Sequence, residues 1–498
     1  MTCRVRFLPD DRYADVPEGT LISDAARIAG ISVDLPCGGG GRCGKCTVIA
    51  DGERVLSCQT EVRNGMTVTV PKKDVNNVIA ATDRKKCIGE LSPLSDGYGL
   101  AVDIGTTTVA ISVLDLSNGT EVYSASGMNG QRSRGEDVLA RIQYSEENGP
   151  DELRTLVIGT INGLLSGFGK RNEIKSAYIA GNTAMLHLFL GIDPSPIRLP
   201  PFEPVVKDAK ITGKESLLDI SPDAVVICMP SVSSYVGGDI TSDIADSEMD
   251  RSKGMSLLID VGTNGEVALG NDEMLLCCSS SAGPAFEGSQ MTSGMIASEG
   301  AIDSVRIENG KVNYTVIGNV KPKGICGSGV IDVVSQLFLS GYIDKRGNLT
   351  EESGAVDGVF TIADNVVITQ KEIQDVIMTK AAVYSAARTM VRSLGLSFED
   401  LDCIFIAGGF GNFIDMDSAV SIGLFPDVDR KKYRYLGNSS LSGAKQALLS
   451  KEFRERIDIV FPKMTYVDLS SEPVFFDEYM SAQFLPHTDA SQFPSVKR

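Results

Sequence analysis

Tryptophan is absent from the 498-residue chain, and histidine occurs only at His187 and His487. Imidazole-based acid–base chemistry therefore has few candidates. His187 lies in the apolar stretch Ala184 to Leu190 and reads as a core or capping residue. Positive charge is also in deficit: 47 Lys and Arg face 65 Asp and Glu, a formal net charge of −18. That balance argues against nucleic acid, whose phosphates demand clustered basic side chains, and against anionic membrane surfaces. No apolar run reaches the roughly 20 residues of a membrane span, and Met1 to Asp11 carries charges where a secretion signal needs an apolar core. The expectation is a cytoplasmic protein of about three or four packing units whose partners are proteins or small molecules.

Glycine and cysteine are not scarce, with 51 and 11 residues. Four cysteines crowd together as Cys37, Cys43, Cys46 and Cys58, spaced C-x5-C-x2-C-x11-C, while the others scatter. That is not the spacing of a disulfide scaffold, and in a reducing compartment clustered thiolates hold metal. Glycines between the first three let a loop wrap tightly and present backbone N–H groups to cluster sulfides. On the flanks, Cys3 to Leu8 and Met66 to Val70 alternate as strands, and Leu21, Ala25 and Ile28 fall at helical spacing. In this order Met1 to Lys72 resembles the β-grasp [2Fe–2S] ferredoxins, with one departure. The plant type uses C-x4-C-x2-C and a distant fourth cysteine, whereas here the gap is five and the fourth ligand comes early. A structural zinc site is the alternative, but such sites usually pair two C-x2-C knuckles and only one is present.

Asp74 to Tyr98 loses periodicity and collects turn formers, as a linker would, with Cys87 alone inside it. Two motifs then recur. Asp103-Ile-Gly-Thr-Thr-Thr returns 157 residues later as Asp260-Val-Gly-Thr-Asn-Gly, and Ile179-Ala-Gly-Asn returns as Ile406-Ala-Gly-Gly. Paired repeats in one order imply two homologous lobes. Such a hairpin holds phosphate oxygens on backbone N–H groups and hydroxyls, while its Asp reaches Mg²⁺ through water. Helical stripes such as Leu153 to Leu165 and Ile373 to Ala387 are core, and Cys277 and Cys278 look like core neighbours on a strand.

These motifs resemble the acetate and sugar kinase, Hsp70 and actin superfamily. The resemblance implies phosphate contacts at Gly105, Thr106, Thr107, Thr108, Asn182, Gly262, Thr263 and Asn264, and adenosine at Gly408 and Gly409. Asp103 and Asp260 would organise Mg²⁺, and Asp239 in Val-Gly-Gly-Asp would position the attacking water. The competing reading makes Asp239 a helix cap only. Glu287, Gly327 and Ser328 are further candidates on loops of the second lobe. The expected fold is a β-grasp ferredoxin domain (residues 1–73), a linker (74–97) and a duplicated α/β actin-like ATPase with lobes at 98–235 and 236–498.

The whole order of motifs resembles the reductive activators of corrinoid proteins. That resemblance implies ATP-dependent reduction of an inactive Co(II) corrinoid protein of a methyltransferase system to Co(I), fed by an upstream low-potential electron donor, with a possible homodimer through the ATPase lobes. Some members have a large middle domain between ferredoxin and ATPase, which this chain is expected to lack. Two other readings are an activator of a different low-potential enzyme and a small-molecule kinase whose cluster is structural or sensory.

Overall fold

The computed structural model describes residues 2–9, 11–31, 33, 41, 46–70, 89–283, 285–287, 291–409 and 414–497. Near the N-terminus lie β1 (Thr2–Leu8), β2 (Arg12–Pro17), α1 (Ile22–Ile28), β3 (Thr47–Ala50), β4 (Glu53–Leu56) and β5 (Thr67–Thr69). They form one sheet in the order β2-β1-β5-β3-β4, with β1 parallel to β5 and the other pairings antiparallel. Alternation along β1 turns Cys3, Val5 and Phe7 inward onto Ile22, Ala25 and Ala26 of α1. Each fully buried side chain of this size contributes about 1.5–3 kcal/mol. This is the expected β-grasp unit.

The first lobe contains β6 (Tyr98–Ile104), β7 (Thr108–Asp115), β8 (Thr120–Met128), α2 (Val138–Asn148), α3 (Asp151–Leu165), β9 (Ile174–Gly181) and α4 (Thr183–Leu190). After them come α5 (Ser195–Arg198), β10 (Ala209–Thr212), α6 (Gly213–Ser216), β11 (Val225–Cys228) and α7 (Gly238–Ser247). The second lobe opens with β12 (Ser256–Val261), β13 (Gly265–Gly270) and β14 (Leu275–Ser280). Two small sheets follow, β15 (Ala301–Glu308), β16 (Lys311–Val316) and β17 (Gly324–Ile325) in one, β18 (Val359–Ala363) and β19 (Val366–Thr369) in the other. Around them come α8 (Gly327–Leu339) and α9 (Gln370–Ser393), then β20 (Cys403–Ala407), α10 (Met416–Ser421) and β21 (Tyr433–Gly437). The chain ends with α11 (Ser439–Leu449), α12 (Lys451–Lys463), β22 (Met464–Tyr466) and α13 (Pro473–Ala482).

Both large sheets follow one plan. An antiparallel meander, β6-β7-β8 or β12-β13-β14, is extended on the side of its first strand by two parallel strands, β9 and β11 or β20 and β21. The sheets differ only in where a sixth strand is added, β10 beyond β11 and β22 beyond β14. The sequence repeat is therefore a structural repeat, and the fold is the expected duplicated actin-like one.

The lobes also exchange helices. One side of α7 packs with the second sheet through Ile240 and Ile244 against Leu258, Ala268 and Ala407, and Ala245 joins the core of the first sheet. Although α11 follows β21 of the second sheet, Leu441, Ala444 and Leu448 pack against Ala101, Tyr178 and Ala180 of the first. Where α7 and α11 cross, a Cβ on Gly443 would collide with Ser242 Oγ, and that hydroxyl donates to Ser440 O at 2.8 Å. Small polar residues thus set the close approach of the two halves.

The segment expected to be a linker is partly packed. Ser92 N and Leu94 N donate to Leu449 O and Leu448 O at 2.8 and 2.9 Å, and Lys451 N donates to Ser92 Oγ at 2.8 Å. Its remainder up to residue 88, with Cys87, lies outside the described residues. Cys277 and Cys278 are both buried and face opposite sides of β14, each into a different core cluster. His187 is buried as well: its Nδ1 pairs with Thr183 O at 2.8 Å, and its Nε2 accepts from Val205 N at 3.1 Å.

Candidate functional site

The carboxyl ends of β6 and β12 face a common cleft between the lobes. All of Asp103, Asp239, Asp260, Gly105, Thr106, Thr107, Thr108, Asn182, Gly262, Thr263, Asn264, Gly327, Ser328, Gly408 and Gly409 line it. Glycine in the doubled Ile-Ala-Gly motif has a steric cause. Gly181 at the end of β9 has φ +153°, and a Cβ there would lie 2.8 Å from Ile104 O. Gly408, just after β20, has φ +106°, and a Cβ there would lie 2.7 Å from Val261 O and 3.0 Å from Asp260 Oδ1. In each lobe, then, the parallel strand ends pressed against the residue that follows the aspartate, and only glycine fits.

The first turn is held from behind. Asn129 Nδ2 donates to Gly105 O at 2.8 Å, and Asn129 N donates to Thr107 O at 2.8 Å. Fully buried Arg141 donates to Thr106 O, to Gly135 O at 2.9 Å and to Gln131 Oε1 at 3.2 Å. In the second turn, Gly262 N donates to Asn264 O at 3.0 Å. Asn182 caps α4 by accepting from Ala184 N. Gly237 and Gly238 are forced by crowding, since added Cβ atoms would lie 2.5 Å from Thr183 N and from Met229 O. Asp239 therefore enters α7 in its first turn, behind the cap residue Gly237, and is not itself the cap.

Five carboxylates line the cleft, of which the sequence motifs singled out three; Asp243 and Glu266 are the additions. Asp103 is clasped by α11, with Asn438 Nδ2 donating to Oδ2 at 2.8 Å and Ser440 Oγ to Oδ1 at 3.0 Å. Loss of solvation still holds its carboxyl above the ordinary range, against the pull of those donors. Asp239 is half-buried by exposed area yet walled by protein, so loss of solvation dominates, with the Asp103 charge adding, and it is pushed up to about 7. Asp243 and Glu266 are raised well above the usual range by burial first, then by Asp260 for Asp243 and by Asp239 for Glu266. Carboxylates arranged this way suit a cation.

Asn438, Ser439 and Ser440 carried no motif in the sequence reading. Their signal is positional: they open a helix after β21, the outer of the two parallel strands added to the second meander, as Gly237 to Asp239 do after β11 in the first. Ser328 Oγ is turned onto Asp303 O at 2.9 Å, so Ser328 meets the cleft at the start of α8 with its hydroxyl already engaged. The side chain of Glu287 lies outside the described residues. Among the described residues no three His, Cys, Asp or Glu side chains converge closely enough to ligate a metal directly. The cleft carboxylates therefore fit a hydrated Mg²⁺, an ion that keeps several of its waters.

In the ferredoxin unit Cys46 and Cys58 are buried free thiols with their sulfurs 3.2 Å apart. Burial first, then the neighbouring Cys46, pushes the Cys58 thiol up. Gln59 Nε2 approaches Cys58 Sγ at 3.8 Å. Two unbridged sulfurs at this separation, on the turn before β3 and the turn after β4, suit two ligands of one cluster. Cys37 and Cys43 lie outside the described residues.

Three family models match in sequence: the 2Fe–2S iron–sulfur cluster binding domain over residues 5–66, the RACo middle region over 98–252, and the C-terminal ASKHA domain of RACo over 254–497. The N-terminal domain is thus a 2Fe–2S domain and the remainder an ATP-binding ASKHA core. The match to the RACo middle region falls on the first lobe. The corrinoid activation enzyme RamQ of Eubacterium limosum is 32% identical, over 96% of this chain and 98% of its own length. A [Co(II) methylated amine-specific corrinoid protein] reductase of Methanosarcina barkeri is 24% identical, over 74% of this chain and 73% of its own. Among solved structures, a reductive activator for a corrinoid, iron–sulfur protein superposes with a TM-score of 0.78 at 34% identity, covering 99% of this chain and all of that one. By full-length similarity on this scale, the chain belongs to the family of reductive activators of corrinoid proteins.

Proposed function

We propose that the chain uses ATP to drive transfer of one electron from its N-terminal domain to a corrinoid protein of a methyltransferase system, returning Co(II) to Co(I). The electron originates from an upstream low-potential donor, and the setting is the reducing cytoplasm. The observation that carries this reading is the convergence of both Asp-x-Gly-Thr turns on one cleft, in a chain whose other end brings Cys46 and Cys58 together.

Cys37, Cys43, Cys46 and Cys58 would hold the [2Fe–2S] cluster, which when bound supplies a one-electron carrier. Residues 1–73 form that module, 74–97 the connection, and 98–235 and 236–498 the two lobes. Backbone N–H groups and hydroxyls of Gly105 to Thr108 and of Gly262 to Asn264 grip phosphate oxygens from opposite sides. Asn182 and the start of α8 at Gly327 and Ser328 close the cleft, while Gly408 and Gly409 leave room for adenosine. Asp103 and Asp260 orient the waters of Mg²⁺. Asp239, at the start of α7, orients and deprotonates the attacking water. Closure of the lobes is the change hydrolysis can bias, because nucleotide can shift an electron-transfer equilibrium only by binding two conformations differently.

Anaerobic mixing of the reduced protein with a Co(II) corrinoid protein, with and without MgATP, tests this through the Co(I) absorption band. The band should appear only with ATP; its appearance without nucleotide would remove the coupling. Cys46→Ala should abolish the transfer and leave nucleotide affinity intact. Asp260→Ala should slow hydrolysis about 10- to 100-fold with the visible cluster spectrum unchanged.

A further inference from the structure

The cleft has a charge problem. Five carboxylates line it, from Asp103, Asp239, Asp243, Asp260 and Glu266, and among the described residues that line it there is no lysine or arginine. A nucleoside triphosphate brings more negative charge than one divalent cation neutralises. Packing like charges within a few ångströms in a partly desolvated site is strongly unfavourable unless further cations enter.

One atom shows where. Asp243 is 1% exposed and sits one helical turn after Asp239 on α7. Its Oδ1 accepts from Ser439 Oγ, at the start of α11, at 2.7 Å. Its Oδ2 is buried and accepts no hydrogen bond from the described residues. The Asp103 oxygens, by contrast, are both taken by α11 donors, and Asp239 Oδ1 accepts from Ile240 N at 2.8 Å. A buried carboxylate oxygen with no donor, in a wall otherwise supplied with them, is a place for a positive partner.

We propose that Asp243 holds a second oxygen-coordinated cation at the base of the nucleotide cleft, in addition to the metal that accompanies the phosphates. No ready-made cage of three acidic side chains exists there, so phosphate oxygens and water complete the shell, and the site forms only once nucleotide has bound. Ser439 fixes the carboxylate from α11, so the ion is held only when α7 and α11 are together. The proposal rests on the cleft being the nucleotide site.

The test uses the full chain with a non-hydrolysable ATP analogue and Mn²⁺ as probe, counting bound ions by the electron paramagnetic resonance of free Mn²⁺. A second arm replaces K⁺ by tetramethylammonium while nucleotide affinity is followed by calorimetry. For a divalent ion, wild type binds two Mn²⁺ per nucleotide and Asp243→Asn binds one. For a monovalent ion, wild type binds one Mn²⁺ but loses about 10-fold in nucleotide affinity without K⁺, a dependence that disappears in Asp243→Asn. Ser439→Ala, which keeps the carboxylate and removes its anchor, should weaken the same ion and serves if Asp243→Asn does not fold. One Mn²⁺ with no K⁺ dependence in wild type, or the same behaviour in wild type and both variants, overturns the proposal. Absence of any nucleotide binding in wild type overturns the nucleotide reading of the cleft instead.

Discussion

The two lobes repeat one sheet plan but secure their turns differently. In the first, Arg141 and Asn129 reach from behind to the carbonyls of Gly105, Thr106 and Thr107, so the turn rests on a buried polar scaffold. In the second, the turn closes on its own Gly262 to Asn264 hydrogen bond, the Asn264 side chain pairs with Glu266, and a Cβ on Gly265 would lie 2.8 Å from Val383 of α9. The first turn is fastened by side chains reaching in from α2 and the segment before it, the second by its own hydrogen bond and contacts close to it in the sheet. The comparison separates what the shared motif requires, an aspartate and a small turn, from what each lobe added to hold it.

The largest effect should come from removing the scaffold of the first turn. Arg141→Met leaves Thr106 O and Gly135 O buried without their donor and should cost about 3 kcal/mol, read by urea denaturation of the metal-free protein. An unchanged midpoint would erase the contrast between the lobes. Next come the matched glycines. Gly181→Ala and Gly408→Ala each force a side chain into left-handed backbone against a carbonyl, at a cost on the order of 1–3 kcal/mol. Only Gly408→Ala also presses on Asp260 Oδ1, so only it should weaken ATP binding beyond the stability loss, as calorimetry can measure. Equal affinities in the two variants would mean that the strand ends serve packing alone.

The smallest effect is a pH slope. A carboxyl raised in the folded state binds its proton more tightly there than in the unfolded chain. The stability it gives is complete below the ordinary carboxylate value of about 3.9 and is lost as pH rises through the folded value, about 7 for Asp239. In chelator and without nucleotide, the melting temperature should therefore fall between about pH 5 and about pH 8. Asp239→Asn should flatten part of that fall. A slope of the opposite sign would mean that the cleft is already charged when empty.

Much of this was legible in the sequence because the repeat is carried by residues with steric causes. Asp103 and Asp260 stand at matching strand ends, and Gly181 and Gly408 sit where a side chain would strike the neighbouring strand. What escaped depended on pairing across long separations. Asp243 is marked by Ser439, 196 residues away, and Asp103 by Asn438 and Ser440, 335 and 337 residues away. Helical periodicity places an apolar face toward some core but does not say which. For that reason α11, read as part of the second lobe, turned out to cover the sheet of the first.

The anchorage of Ser92 and Leu94 on the helices α11 and α12 fixes the root of the N-terminal module. Because α11 also clasps Asp103, a movement of that helix displaces Ser92 and Leu94, where the chain from the N-terminal module arrives, together with a carboxylate of the cleft.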